Sequence, residues 1–129
     1  MLNLELVLKG YVDAALWSTY DESDDNGGDP MDKNYGFEDV ELSTLEVMRE
    51  DCRKFITANE SDLIEENFLG HCHEGTFEEY VGHDFWLTRN GHGCGFWDGD
   101  WVKEVGERLT KHCKYKEFYL FVNDGKISH

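Results

Sequence analysis

Basic residues are scarce in this chain of 129 residues: 12 lysines and arginines stand against 28 aspartates and glutamates, a formal net charge of −16. Such a surface repels nucleic acid and anionic membranes, so neither is an expected direct partner, and it attracts basic proteins. The same charge also serves solubility by itself. It is unevenly spread, with 24 acidic and 6 basic groups over residues 1–100 and 4 and 6 over residues 101–129. Proline occurs once, at Pro30. Long apolar runs are missing: MLNLELVLKGYVDAALW is interrupted by Glu5, Lys9 and Asp13 and has no basic leader, so neither a signal peptide nor a membrane span is predicted. The four cysteines, Cys52, Cys72, Cys94 and Cys113, form no C-x-x-C pair, which argues against a zinc ribbon or a thioredoxin-like motif and for free thiols in a reducing cytoplasm. No phosphate-binding loop, dinucleotide fingerprint or basic aromatic RNA platform occurs, and no cofactor is expected.

What is present is enough for one domain over residues 1–129 with one core. Leu4, Leu8, Tyr11 and Ala15, widened by Val7, Ala14 and Trp17, predict a helix over residues 3–20. Residues 21–36 carry the proline and no apolar period, and read as an exposed acidic loop. Within them Asp21, Ser23, Asp25, Asp29 and Asp32 fall at EF-hand offsets, but Asn26 stands where glycine is needed and Asp32 where glutamate is, so calcium is not expected. Ser43-Thr-Leu-Glu46 forms a capping box ahead of a stripe of Leu45, Met48, Cys52, Phe55 and Ile56. A short helix is predicted over Asp62 to Leu69, and a brief one from Thr76-Phe-Glu-Glu79 to Gly82. Trp101, Val105, Leu109 and Cys113 mark a helix over residues 101–113. A strand is expected over residues 118–122, then a turn at Asn123-Asp-Gly125 and a short return strand.

The most patterned stretch is HDFWLTRNGHGCGFWDGD, residues 83–100. Asn90-Gly91 suits a type I′ turn, whose central residues both need positive φ, and predicts a hairpin over 84–97. In that pairing Phe85, Leu87, Cys94 and Phe96 face the core. Asp84, Trp86, Thr88 and Trp97 face outward, and with Arg89 and His92 they form a candidate binding surface. The expected fold class is α+β: several helices plus a small antiparallel sheet from the 84–97 hairpin and the 118–122 strand.

The same hairpin places His83 opposite Asp98, a base with an orienting carboxylate and a candidate catalytic pair. No serine or cysteine joins them, so a hydrolytic triad is not supported. His71, His73, His83 and His92 supply enough imidazole for a zinc site, although His71 and His73 lie in a stretch without fixed geometry.

The run GHDFWLTRNGHGCGFWDGD, residues 82–100, resembles a recurring segment of short, uncharacterised proteins encoded by bacteriophages. His83 to Gly93 and Gly95 to Asp98 match that pattern, Cys94 takes its small-residue place, and Asn123-Asp-Gly125 fits its tail. The resemblance implies action in the cytoplasm of a bacterial host and assigns no activity to individual residues. Three functions follow as expectations. The first is an accessory protein that binds a basic host or phage protein, in sharper form by mimicking DNA, whose duplex carries one charge about every 1.7 Å. The second is a small metal-dependent or His/Asp enzyme, and the third a virion or assembly component.

Overall fold

The computed structural model describes residues 2–22, 28–70, 75–92, 94–113 and 115–129. Four helices carry it: α1 (Leu4–Ser18), α2 (Leu42–Ala58), α3 (Phe77–Arg89) and α4 (Lys103–His112). Two antiparallel strand pairs accompany them among the described residues, β1 (Tyr20–Asp21) with β2 (Asp29–Pro30), and β3 (Phe121–Asn123) with β4 (Lys126–Ser128). The class is therefore α+β, as expected; one strand pair lies at the predicted C-terminal turn, but residues 84–97 contribute none among the described residues.

Asn3 caps α1 with its side-chain oxygen, accepting from the amides of Glu5 at 3.0 Å and Leu6 at 3.4 Å. The predicted stripe of this helix is buried, except that Leu4 is half-buried and Trp17 stands 54% exposed. The described residues of the 21–36 stretch form more structure than their composition suggests. Asp21 pairs with Asp29, and Met31 is buried. Three of the EF-hand positions, Asp21, Asp29 and Asp32, are described, whereas Ser23 and Asp25 lie outside the described residues.

The start of α2 is set by tertiary pairing. Ser43 and Glu46 form no capping box, because the helix begins two residues earlier than a Ser43 cap would place it, at Leu42, without a side-chain cap. Instead the Glu41 amide donates to the Ile127 carbonyl at 2.8 Å, Val40 bridges Ile127, and the Thr44 hydroxyl meets His129 Nδ1 at 2.7 Å. The helix predicted over Asp62 to Leu69 shrinks to one 3₁₀ turn, Glu65–Asn67. Its neighbours bond elsewhere: Leu69 N–H donates to the Asp100 carbonyl, the Asn67 carbonyl accepts from Val102, and Phe68 bridges Trp101.

The 84–97 hairpin does not form. Residues 77–89 are one helix, α3, begun by Thr76, whose hydroxyl accepts from the Glu79 amide at 3.2 Å. Asn90-Gly91 ends this helix. Gly91 has φ +68°, its amide donates to Thr88, and the His92 amide donates to Leu87, the paired bonds of a Schellman cap. Type I′ turns and Schellman caps both need a glycine at positive φ, so the dipeptide alone does not distinguish them. The second such signal did make a hairpin: Asp124 and Gly125, at φ 51° and 74°, join β3 to β4. The strand expected over 118–122 is confined to Phe121–Asn123.

Helix α3 is the centre of the molecule. Phe77, Val81, Asp84, Phe85, Trp86 and Leu87 are all buried, so little of its circumference faces solvent. Phe85 stacks on Phe55 of α2 at 4.2 Å between ring centroids and meets Tyr11 of α1 at 5.1 Å. Phe55 also stacks on Phe96, which meets Trp101 at 5.5 Å. Gly82, read from the sequence as a helix stop, is instead a packing position. A Cβ there would sit 2.6 Å from the Tyr11 nitrogen, and one at Gly10 would sit 2.6 Å from the Glu79 carbonyl carbon. The two helices thus cross through reciprocal glycines with their backbones in contact.

Alanine at Gly10 or Gly82 is expected to cost more than ~3 kcal/mol, the upper end of overpacking penalties, because the obstructing atoms are backbone and cannot rotate away. A Cβ at Gly91 meets nothing within 4 Å. Gly91→Ala is therefore expected to lose only about 1–2 kcal/mol, the left-handed penalty. Urea denaturation of the three variants checks the order, and equal losses would contradict the packing account.

Candidate functional site

The residues expected to share one outer surface are dispersed by α3. Trp86 is 1% exposed, with its indole nitrogen donating to Ser18 Oγ at 2.8 Å. Thr88 turns its hydroxyl to the Phe96 amide at 3.0 Å. His92 is half-buried beside Tyr20 and Phe118, and only Trp97 stands open, 53% exposed. On a strand, residues 84, 86 and 88 share a face; on a helix 84 and 88, four apart, still do, but Trp86 turns to the opposite side. The inward set fared better, since Phe85, Leu87 and Phe96 are buried and Cys94 is partly so.

Arg89 is a structural clasp, not a surface group. Its side chain is 6% exposed, and Nη1 donates to Asp51 Oδ2 at 2.6 Å and to the Tyr11 hydroxyl at 2.9 Å, while Nε donates to the Lys116 carbonyl at 2.9 Å. The guanidinium lies between the rings of Tyr115 and Phe118, 5.2 and 5.1 Å from their centroids. One side chain thereby joins α1, α2, α3 and the segment leading to β3.

His83 and Asp98 form no hydrogen bond. Asp98 instead accepts from the amides of Gly95 at 3.2 Å and Asp100 at 3.4 Å, which makes it a turn residue. Burial lowers the pKa of His83 against the opposite pull of Asp13 and Asp98, and its ring lies 6.0 Å from that of Trp17. His71 and His73 lie outside the described residues. Among the described residues no group of three or more histidine, cysteine or acidic side chains is placed to hold a metal ion.

Asp84 is the most perturbed carboxyl in this region. Burial raises its pKa to about 7; the Trp101 indole, donating at 2.9 Å, opposes the rise, and the charges of Asp98 and Asp100 add to it.

The surface feature that stands out is a groove of about 370 Å³ where the end of α2, the 3₁₀ turn Glu65–Asn67 and the start of α3 meet. Its floor is apolar, from Leu2, Ile56, Leu63 and Phe77. Glu60, Glu65, Glu66 and Glu78 line it as well, and among the described residues no cationic side chain does. Ile64, 42% exposed, adds an apolar edge. Such a site offers a hydrophobic seat to an apolar side chain and carboxylates to flanking lysine or arginine. The negative total charge hinted at acidity, but nothing local marked these four glutamates, which come from three chain segments.

Removing Arg89 strands the partly buried Asp51 carboxylate and frees the segment before β3. Arg89→Ala is expected to lose roughly 3 kcal/mol or more. Arg89→Lys recovers only part of that, since one ammonium cannot replace the planar fork. Urea denaturation checks both, and full recovery by lysine would show that the fork geometry is unimportant. For Asp84 the folded carboxyl holds its proton more tightly than the unfolded one. Its contribution to stability is full below about pH 3.9 and is lost as pH rises through its folded-state pKa. Thermal melts across that range should show this loss, and Asp84→Asn, which keeps an acceptor for Trp101, should remove it; an unchanged profile in the variant would refute the assignment.

No protein family, curated protein or solved structure matches the chain.

Proposed function

We propose that the protein acts by binding a basic protein partner through its acidic surface. The observation that carries this reading is the groove at the α2–α3 junction, with four glutamates and no cation among the described residues of its lining. The ion pairs of the described residues support it. They engage Lys9, Lys33, Arg49, Arg53, Arg89 and Arg108, half of the 12 basic residues of a chain whose net charge is −16. Half of the positive charge is thus already matched within the chain, and the acidic excess is left to act outward. A field of that sign steers basic partners into encounter and turns away nucleic acid.

The resemblance of residues 82–100 to phage-encoded proteins supports a host or phage protein in a bacterial cytoplasm as the partner. In the sharper form of the reading, glutamates stand in for phosphates and the partner is a nucleic-acid-binding protein whose basic channel is occupied. A reading as a His/Asp enzyme has no comparable support, since His83 and Asp98 form no hydrogen bond and Asp98 is engaged by backbone amides.

The test is affinity capture from bacterial lysate at about 0.1 M and about 1 M salt, where the screening length falls from roughly 10 to roughly 3 Å. A discrete partner should be retained at low salt and released at high salt, and duplex DNA should displace it if the mimicry form holds. Glu60→Lys with Glu66→Lys, both on exposed positions, should abolish capture without altering the thermal melt. Retention that ignores both salt and charge reversal would overturn the proposal.

A further inference from the structure

The C-terminal segment carries a second surface that the acidic groove does not explain. From Tyr119 to Asn123 the chain is extended and alternates. Leu120 is buried and Val122 half-buried, whereas Tyr119 is 73% and Phe121 42% exposed. Tyr20 of β1, 58% exposed, stands across a groove of about 240 Å³ whose lining also holds Glu22, Tyr119, Phe121 and Val122. An adjoining groove of about 250 Å³ shares Tyr20, Glu22 and Tyr119 and adds Glu117 and His92. Three exposed rings, Tyr20, Tyr119 and Phe121, thus gather around one trough together with two carboxylates.

Among the described residues β3 pairs with β4 alone, which leaves its other edge without a strand partner. Asn123 and Lys126 flank the two-residue turn, so they form the hydrogen-bonded pair, and the alternation of an antiparallel ladder leaves Val122 opposite Ile127 without bonds between them. The outward bond of Ile127 agrees, since its carbonyl accepts from Glu41 on the far side of β4. Val122 therefore directs its amide and carbonyl away from β4, and the same residue lines the aromatic trough. Strand edges are commonly blocked by lysine, proline or a covering element, and β3 itself, Phe121-Val-Asn123, carries neither residue.

We infer that this edge is a docking strip for an extended, lysine- or arginine-bearing segment of a partner protein, which adds as a strand beside β3. The inference rests on the reading of a basic partner and names how part of that partner is held. Backbone bonds to Val122 fix the register. Alternate side chains of the added strand then lie over Tyr20, Tyr119 and Phe121, where cations gain from ring faces and from Glu22 and Glu117. A second copy of this chain is a poor occupant of the strip, because each copy brings a net charge of −16.

The experiment selects a random peptide library on the immobilised full chain and measures the affinity of the selected peptides for Val122→Pro, Tyr119→Ala and wild type. Proline at Val122 removes an amide that the β3–β4 pairing does not use, a place where edge strands tolerate it. Selected peptides should alternate lysine or arginine with apolar residues, and each variant should weaken them by roughly tenfold. If proline at 122 unfolds the chain, the exposed Tyr119 variant carries the test alone. Basic, salt-sensitive peptides that bind both variants as well as wild type would overturn the docking strip and leave the acidic-surface reading standing. Selected peptides without basic residues, or no selected peptide, would overturn both. A concentration-dependent dimer lost in the Tyr119 variant would instead make a second copy the occupant and overturn the inference.

Discussion

The crossing of α1 and α3 is the constraint on which the other contacts depend. With Gly10 and Gly82 set against opposing backbone, the helix axes come closer than side-chain-separated packing allows. Only at that separation do the rings of Tyr11, Phe85 and Trp86 reach one another, and only then does the Trp86 indole meet Ser18 on the neighbouring helix. Tyr11 also supplies one partner of Arg89, so the crossing and the Arg89 clasp share a side chain. The remaining elements close over this pair: α2 through Phe55, the 95–101 segment through Phe96 and Trp101, and the C-terminal stretch through Tyr115 and Phe118.

How much of the fold was legible depended on where each helix sits. Helices α1, α2 and α4 have a solvent face, and their stripes showed the period and the buried residues, including Cys52 and Cys113. Helix α3 is buried over most of its surface, so FWL at 85–87 has no polar interruption at helical spacing and reads equally well as a strand. Gly82 and Asn90-Gly91 then reinforced the error. Each glycine signalled something real, a backbone approach and a positive φ, that fits more than one architecture. Asp124-Gly125 belongs to the same class of signal and made the expected turn because both flanking segments are short, extended and half-exposed.

The site was less legible than the fold. Polar residues in the 83–100 segment looked available for chemistry, yet Asp84, Thr88, Arg89 and Asp98 are each committed to an internal hydrogen bond. The grooves that remain open join segments distant in sequence, such as Leu2 with Glu66 or Tyr20 with Tyr119. No local pattern records such meetings. What the sequence did carry was the sign of the surface, because a charge excess is a sum over residues and does not depend on how they are folded.

The attachment of Ile127 bears on the order in which the molecule assembles. Glu41, Val40 and Thr44 at the start of α2 find their partners at residues 127 and 129, more than eighty positions later. During synthesis the α1–α2 half is therefore made well before the strand that fixes its geometry. Long-separation contacts of this kind are formed late and slow the search for the native state. Until then the start of α2 lacks these partners, and the acidic excess of the first hundred residues disfavours association of such incomplete chains.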